Sequence, residues 1–498
     1  MKKNVIFYLF PIMLLALYLR LFNLGAKCLW FDEALDVYYV WTQGLLFTSV
    51  ASISPVYSIF LYFWKGLAGN EFLLRVPSVL FSLSSVFVFY LFTSLVFNKK
   101  TGLISAFILA VSPFSLYYAQ ECRPYSLSCL LVLLTSYFFI KCLKINRVVH
   151  WVCFIFFSLL GVYTHYITFL IFLLADVFLL VNFKKYSYLR KRWYIANAVV
   201  LILILPAIKI IFSTQYLYSN WWVPLVDGYS ILITLKNFCV GYNASFPFYL
   251  FAMCLFIYLF IYGAIKAKKN EFLWLFITCL FIPLLAVFIF SLIKPSYYID
   301  RHFISFSVFF YIFLAYGISS IKKKHIFLLT VLAILAISLV SIKNYYAGYL
   351  PNSFAHHVGV QEEKNTRKLA GYIKDNFKAG DMFCFSDENS IPQLLYYLGP
   401  HYLKGAYNEN LLTEMDKKTI AEYDEGSDII LPFTFLKPSP ARSHKPVSID
   451  FKKYKRIWLI TCYNERGIVR ALSRRFTWIS TNKFEGVKIY LFIIDQKL

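Results

Sequence analysis

The sequence has little charge, and it lacks the cysteine spacing of metal-binding modules. Only 15% of its 498 residues are charged, whereas 59% are hydrophobic and 20% are aromatic. This balance is far from that of a soluble globular protein and is typical of a polytopic membrane protein. The ten cysteines include no CxxC pair and lie mostly in apolar segments. They indicate neither a zinc site nor a disulfide framework.

The sequence also gives no sign of a nucleic-acid partner, although its formal net charge is +24. Most lysines and arginines lie in short clusters between apolar runs, which is the pattern of membrane topology. The clusters are 99–100, 141–147, 184–192, 266–269 and 322–324.

Long apolar runs predict about eleven membrane-spanning helices, each near the roughly 20 residues that a bilayer requires. The runs are 5–24, 72–97, 102–118, 125–143, 149–163, 168–183, 194–213, 246–265, 272–293, 304–321 and 326–342. The basic clusters fall on alternate loops. This alternation predicts that the N-terminus lies on the inner side of the cell membrane. The odd number of spans then places the C-terminal part outside. The short apolar run 54–67 is expected to lie along the outer interface.

Beyond residue 345 the composition becomes that of a soluble domain. The sequence therefore predicts a membrane domain over 1–345 and an extracytoplasmic α/β domain over 346–498. In the second domain the patterns predict helices at 363–377, 391–398 and 465–476, and strands at 382–385, 428–431, 456–461, 477–480 and 488–494. This domain contains no GxGxxG, Walker or HExxH motif, so we expect an accessory role for it.

Two adjacent acids follow the first span, in the predicted first outer loop. If this segment is helical, Asp32 and Asp36 share a face while Glu33 points elsewhere. One acid could then do chemistry while its neighbours bind or orient. The alternative interpretation is that these carboxylates cap a helix at the membrane interface.

Further polar residues collect in the other predicted outer loops. They are Glu121, Arg123 and Tyr125, then His165, then Asp300, Arg301 and His302, with Arg75 at the same membrane level. Charges buried near one interface are candidates for function. Each arginine taken singly could instead be a snorkelling or capping residue. Asp176, inside a span, belongs to no such cluster.

The order of these features resembles the GT-C superfamily of polyprenyl-phosphate-sugar glycosyltransferases. The branch that it resembles contains protein O-mannosyltransferases, the aminoarabinose lipid A transferase and glycosyltransferase family 39. The matching segments are LWFDEA at 29–34, SPVY at 54–57, EFLLRVPS at 71–78, SPF at 112–114, YAQECRPY at 118–125, YTHY at 163–166 and RH at 301–302. The resemblance covers roughly 5–342.

The resemblance implies that an acceptor hydroxyl displaces a sugar from a lipid phosphate at the outer face of the inner membrane. Asp32 takes the role of general base, with Glu33 orienting or binding. The leaving phosphate requires cationic donors, and Arg123, Arg301 and His302 are the candidates. Glu121, Tyr125, His165, Asp300 and Arg75 are further candidates for the site.

The sequence leaves the sugar open, and the acceptor could be a glycan, a glycolipid or a protein. Relatives that act on lipid A commonly carry a basic residue before the proline of the first-loop motif, where this chain has Ser54 before Pro55. No cofactor is certain. Some members bind a divalent cation, and Asp32, Glu121 and His165 could hold one.

Two other functions fit a polytopic protein with charged outer loops. A transporter or flippase of lipid-linked sugars also places charges along its pathway, but this sequence shows no repeat of one half in the other. A ligase of the O-antigen type usually depends on a large late outer loop, whereas here the acids come first. Transfer of label from a labelled lipid-phosphate sugar separates an enzyme from a carrier.

Overall fold

The computed structural model describes residues 3–42, 54–213, 223–293, 296–351, 365–378, 381–385, 391–398, 455–461, 466–484 and 487–494. They belong to two compact units. The first comprises Met1–Ala26 and Gln43–Val360, and the second comprises Lys27–Thr42 and Gln361–Leu498. Residues 27–42, which the sequence placed in the membrane domain, thus group with the C-terminal part. The domain boundary predicted after residue 345 remains a prediction.

The described part of the chain is mostly helical. In chain order its helices are α1 Lys3–Leu21, α2 Phe31–Thr42, α3 Pro55–Trp64, α4 Glu71–Val96, α5 Lys99–Val111, α6 Pro113–Ala119, α7 Tyr125–Ile145, α8 Val148–Thr164, α9 Phe169–Val181, α10 Arg190–Ser213, α11 Ser230–Val240, α12 Phe248–Lys266, α13 Leu273–Ile293, α14 Ser307–Ser319, α15 Lys324–Tyr346, α16 Thr366–Asn376, α17 Ile391–Leu398 and α18 Arg466–Ser473. The strands are β1 Asp381–Phe385, β2 Arg456–Thr461, β3 Thr477–Phe484 and β4 Val487–Ile493. Short 3₁₀ helices occur at Lys65–Leu67, Tyr166–Thr168, Ser187–Leu189 and Asp300–Phe306.

The first unit contains the spans. Within the described residues, seven helices are long and apolar enough to cross a membrane, and the pair α5–α6, bent by 60°, makes an eighth. The predicted spans at 5–24, 149–163 and 168–183 correspond to the shorter apolar helical stretches Val5–Leu21, Val148–Thr164 and Tyr166–Val181. Every apolar run predicted as a span is therefore helical, and the chain is a multi-pass membrane protein. Helix α3 has ten residues and is too short to cross, as the sequence predicted.

A buried arginine stabilises the break between α5 and α6. Pro113 starts α6 and has no N–H, so the carbonyl of Leu109 one turn earlier lacks its helical donor. The fully buried Arg20 of α1 donates to this carbonyl at 3.1 Å and to that of Ala110 at 3.0 Å. Its Nε donates to Ser82 Oγ at 2.8 Å. Backbone groups freed inside a membrane need such partners, so Arg20 makes the bend possible.

The basic loops meet at one end of the helical bundle. Basic side chains of one predicted inner loop bond to residues in or next to a different predicted inner loop. Lys100 donates to Ser319 O, and Lys144 donates to Leu95 O. Arg192 donates to Asn146 Oδ1, and Lys185 pairs with Glu271. Because lysines and arginines favour one side of a membrane, their convergence agrees with the predicted alternation of loops.

Helices α12 and α14 approach each other backbone to backbone. A Cβ added at Gly263 would lie 1.9 Å from the carbonyl oxygen of Phe313, and one at Gly317 would lie 2.6 Å from that of Leu259. Only glycine permits this distance, as at many helix contacts in membranes. The contact fixes α14, which continues directly from the 3₁₀ helix Asp300–Phe306.

The second unit contains a four-stranded sheet in the order β1-β2-β4-β3. Strand β1 pairs in parallel with β2, and the other pairs are antiparallel. Apolar side chains of α16 and α17 form a core with one face of this sheet. Asp381 accepts hydrogen bonds from Arg456 and Trp458, which ties the first strand to the second. The predicted strand 428–431 lies outside the described residues.

Candidate active site

Helix α2 carries the acids of the predicted first outer loop. Glu33 is fully buried, and its Oε2 accepts the backbone N–H of Trp30 at 3.3 Å. An acid at the third helical position that bonds back to the residue before the helix is half of a capping box. Asp32 and Asp36 lie on another face and are half-buried. The predicted helical arrangement is confirmed, and the capping interpretation applies to Glu33.

Helix α2 is held by α17 within the second unit. The backbone N–H of Leu29 donates to the hydroxyl of Tyr397 at 2.8 Å. Near the other end of α2, Trp41 stacks on Tyr396 with ring centroids 5.5 Å apart. Sequence reasoning missed these contacts because about 370 residues separate Leu29 from Tyr397, and no local pattern reports such a distant pairing.

In the first unit, Gln120 fixes the loop that precedes α7. Its amide donates to the carbonyls of Arg20 at 2.9 Å and Phe22 at 2.7 Å, where α1 ends. The Tyr57 hydroxyl of α3 donates to Cys122 Sγ at 3.4 Å. These contacts position Glu121, which is buried, and the half-buried Arg123. Gln120 did not emerge from the sequence, although it directly precedes the acid.

Four of the predicted site residues come together around the ring of a fifth, Tyr125. The guanidinium carbons of Arg123 and Arg301 lie 5.7 and 5.9 Å from its centroid. The His165 ring lies 6.3 Å from the same centroid and 5.1 Å from the ring of His302. Residues from three loops thus form one cluster. They lie at the ends of α7, α8 and α14 opposite to the basic loops.

His165 is neutral at neutral pH. Burial, together with the positive charges of Arg301 and Arg123, lowers its pKa from 6.5 to about 3. Its Nδ1 is buried and has no hydrogen-bond partner within the described part of the protein. The Nδ1 atom of the neutral imidazole can therefore form one hydrogen bond with a bound group, and the ring brings no charge to the site.

Asp300 fixes the 3₁₀ helix that carries Arg301 and His302. Its two carboxylate oxygens accept hydrogen bonds from Thr234 Oγ1 and from Asn237 Nδ2, the latter at 2.8 Å, and both donors belong to α11. Asp300 is only 6% exposed, so these hydrogen bonds replace the ones that its carboxylate would otherwise make with water. The sequence placed Asp300 in the site but treated 213–245 as a loop and missed α11. The sequence feature that could have pointed to α11 is the polar pair Lys236–Asn237 inside an apolar run.

The comparisons with known proteins agree with this architecture. A family model described as dolichyl-phosphate-mannose-protein mannosyltransferase matches residues 52–211. The ArnT of Cupriavidus metallidurans in its apo state superposes with a TM-score of 0.61 at 11% identity, covering 98% of both chains. Residues 52–211 thus resemble that family, and the chain shares the fold of ArnT. The resemblance inferred from the sequence agrees with both comparisons, and the helical membrane fold with its small C-terminal sheet region is confirmed.

Other solved structures share the GT-C fold. ArnT from the same organism bound to undecaprenyl phosphate gives a TM-score of 0.60 at 10% identity, again with 98% of both chains covered. The archaeal oligosaccharyltransferase AglB of Archaeoglobus fulgidus, in complex with an inhibitory peptide and a dolichol-phosphate, gives 0.52 at 10% identity, covering 98% of this chain and 74% of that one. No curated protein sequence matches the chain.

Two other charged residues connect neighbouring helices. Arg75 of α4 is buried and donates to the carbonyl of Leu24, just after α1. Asp176 of α9 accepts hydrogen bonds from Trp193 at 2.8 Å and Asn197 at 3.1 Å, both on α10. The pairing explains how a carboxylate that the sequence could not assign is tolerated within a span.

The described residues contain no group of three or more His, Cys, Asp or Glu side chains able to hold a metal ion. Metal dependence remains a prediction for this protein.

Proposed function

We propose that the protein transfers a sugar from a polyprenyl-phosphate donor to a hydroxyl group of a glycan, lipid or protein acceptor at the outer face of the cell membrane. The observation that carries the proposal is the cluster around Tyr125, where two guanidinium groups and two histidines converge at one end of the bundle. A partly buried pair of arginines suits a phosphate at the membrane interface.

Arg123, Arg301 and His302 are proposed to bind the donor phosphate. During transfer the bond between the anomeric carbon and the phosphate oxygen breaks, and negative charge grows on that oxygen. Fixed cationic donors stabilise such charge most when they are held in place before the reaction. The bonds from Thr234 and Asn237 to Asp300 provide this rigidity for the segment that carries Arg301.

Asp32 is proposed as the general base. The acceptor oxygen forms the new bond to the anomeric carbon, and its proton passes to the Asp32 carboxylate, which is typically worth about 10²- to 10⁴-fold in rate. Glu33 is a poorer candidate, because it is fully buried and accepts the N–H of Trp30. We assign Glu33 the role of orienting the first turn of α2, and thereby Asp32.

The comparisons support the class of donor. The ArnT structure of similar fold contains undecaprenyl phosphate, and the AglB structure contains a dolichol-phosphate. The matching family is described by a dolichyl-phosphate-linked mannose and a protein acceptor. All three descriptions name a polyprenyl phosphate, and we propose that a phosphate of this kind is the leaving group in this chain.

The experiment is a transfer assay in membranes that contain the protein and a polyprenyl-phosphate sugar labelled in the sugar. We expect polyprenyl phosphate to be released in equal amount to the label that reaches an acceptor. Separating labelled products into glycolipid, glycan and protein fractions identifies the acceptor. Movement of intact labelled donor across sealed vesicles, with no release of polyprenyl phosphate, would show a carrier and overturn the proposal.

A further inference from the structure

We infer that Tyr397 and Tyr396 of the C-terminal unit are positioning residues that hold the helix carrying Asp32. The inference rests on the proposed function, because it takes Asp32 as the base. It gives the C-terminal unit a part in catalysis beyond the accessory role that the sequence predicted.

The first contact fixes the start of α2. Leu29 is 1% exposed, so its backbone N–H requires a partner within the protein, and the Tyr397 hydroxyl accepts it at 2.8 Å. The next N–H along the chain, that of Trp30, is bound by Glu33. One of these two bonds comes from α2 itself and the other from α17. The position of Asp32, three residues after Leu29, therefore depends on Tyr397.

The second contact fixes the end of α2. Tyr396 precedes Tyr397 in α17, and its ring stacks on Trp41 at an interplanar angle of 29°. A stacked aromatic pair of this kind adds to the stabilisation from burial alone. Tyr397 is itself supported from α16, because the Arg367 guanidinium lies 6.0 Å from its ring centroid. Consecutive residues of α17 thus hold both ends of the helix.

These contacts should affect turnover more than donor binding. A general base works only when it is within reach of the proton that it accepts, and a displacement of about 1 Å can cost about a hundredfold in rate. The phosphate-binding candidates belong to the first unit, and the contacts of α2 with α17 lie within the second. Loosening α2 should therefore lower kcat and leave the KM for the donor unchanged.

The test compares Tyr397→Phe with Tyr372→Phe. The Tyr372 hydroxyl on α16 accepts a hydrogen bond from Asn482 at 2.6 Å, in the same unit but away from α2. Each variant removes one hydroxyl that accepts one N–H. We expect Tyr397→Phe to lower kcat per folded molecule by about tenfold at constant donor KM, and Tyr372→Phe to leave kcat unchanged. Tyr396→Leu should act as Tyr397→Phe does, and replaces it if that variant does not fold.

A double variant separates positioning from a general structural effect. In the Asp32→Asn background, Tyr397→Phe should cause no further loss of turnover, because it acts through the carboxylate already removed. If the losses of turnover from Asp32→Asn and Tyr397→Phe multiply in the double variant, the inference is overturned while the proposed function stands. Equal effects of Tyr397→Phe and Tyr372→Phe on kcat would overturn it in the same way. Wild-type turnover in Asp32→Asn alone would instead overturn Asp32 as the base, and the inference with it.

Discussion

Arg123 and Arg301 come from loops far apart in the sequence and contact the same aromatic ring. A snorkelling arginine needs only a path to the interface, whereas an arginine that binds phosphate needs its planar fork in a fixed place. The shared position at Tyr125 favours the second role, and substitution by lysine tells the two apart because lysine keeps only the charge.

We predict that Arg123→Ala and Arg301→Ala each lose about 1.5 to 3 kcal/mol of donor interaction, roughly ten- to a hundredfold in affinity or rate. Lysine at either position should restore only part of this, since a point charge cannot grip two phosphate oxygens. Donor binding and transfer, normalised to folded protein, measure the effect. Full activity of both lysine variants would reduce these residues to membrane anchors.

The lowered pKa of His165 gives a prediction about stability. The folded protein protonates His165 only near pH 3, whereas the unfolded chain does so near 6.5. The unfolded state therefore binds more protons between these values, and the folded state loses stability as the pH falls below about 6.5. Arg301, Arg123 and His302 face this ring, and none of them favours its protonation.

The measurement is thermal unfolding of the purified protein at about pH 7.5 and about pH 5. His165→Asn should lose less stability on acidification than the wild type, because it lacks this titration. Equal losses in the two proteins would mean that His165 is protonated in the folded state and is not held neutral by its surroundings.

At the scale of elements, α11 is the support of the phosphate-binding segment. Asn237→Ala removes one of the hydrogen bonds to Asp300, and we expect it to lower transfer per folded molecule by about tenfold through displacement of Arg301. Asn197→Ala is the matched control, since it removes an amide that donates to the carboxylate of Asp176 within the bundle. If both variants transfer at the same rate, α11 has no special link to the site.

The sequence predicted elements better than the contacts between them. Apolar runs and basic clusters were enough to predict every described span, and the strands 382–385 and 456–461 appear as β1 and β2. Helix α11 was missed because its neighbours in 213–245 are aromatic and polar.

The sequence predicted which residues belong to the cluster around Tyr125, but it did not predict how they are arranged. Placing Arg123, His165 and Arg301 on the same side of the membrane followed from the alternation of basic loops. Their convergence on one ring depends on tertiary contacts such as Ser128 with Ser305, whose hydroxyls lie 2.7 Å apart on α7 and the 3₁₀ helix. No local pattern encodes a contact between residues so far apart in sequence.

At the scale of the whole molecule, the prediction concerns orientation. The basic loops share one end of the bundle, and lysine and arginine favour the inside. Tags after Lys100, within 184–192 and at Lys323 should therefore be inside, and a tag at Leu498 should be outside. Accessibility of these tags to a membrane-impermeant reagent in intact cells is the measurement. Protection of the C-terminal tag would overturn the odd number of spans.

Asp32 and Asp36 provide the most direct test of the proposed chemistry, because they lie one turn apart on α2 and are both half-buried. Replacing either by asparagine removes one negative charge and keeps nearly the same shape. The measurement is turnover of the labelled lipid-phosphate sugar by each variant, with donor binding determined in parallel. We predict that Asp32→Asn lowers turnover by about 10²- to 10⁴-fold with donor binding nearly intact, and that Asp36→Asn stays close to the wild type. Near-normal transfer by Asp32→Asn would contradict the account and assign the base to Glu33, Asp36 or Glu121.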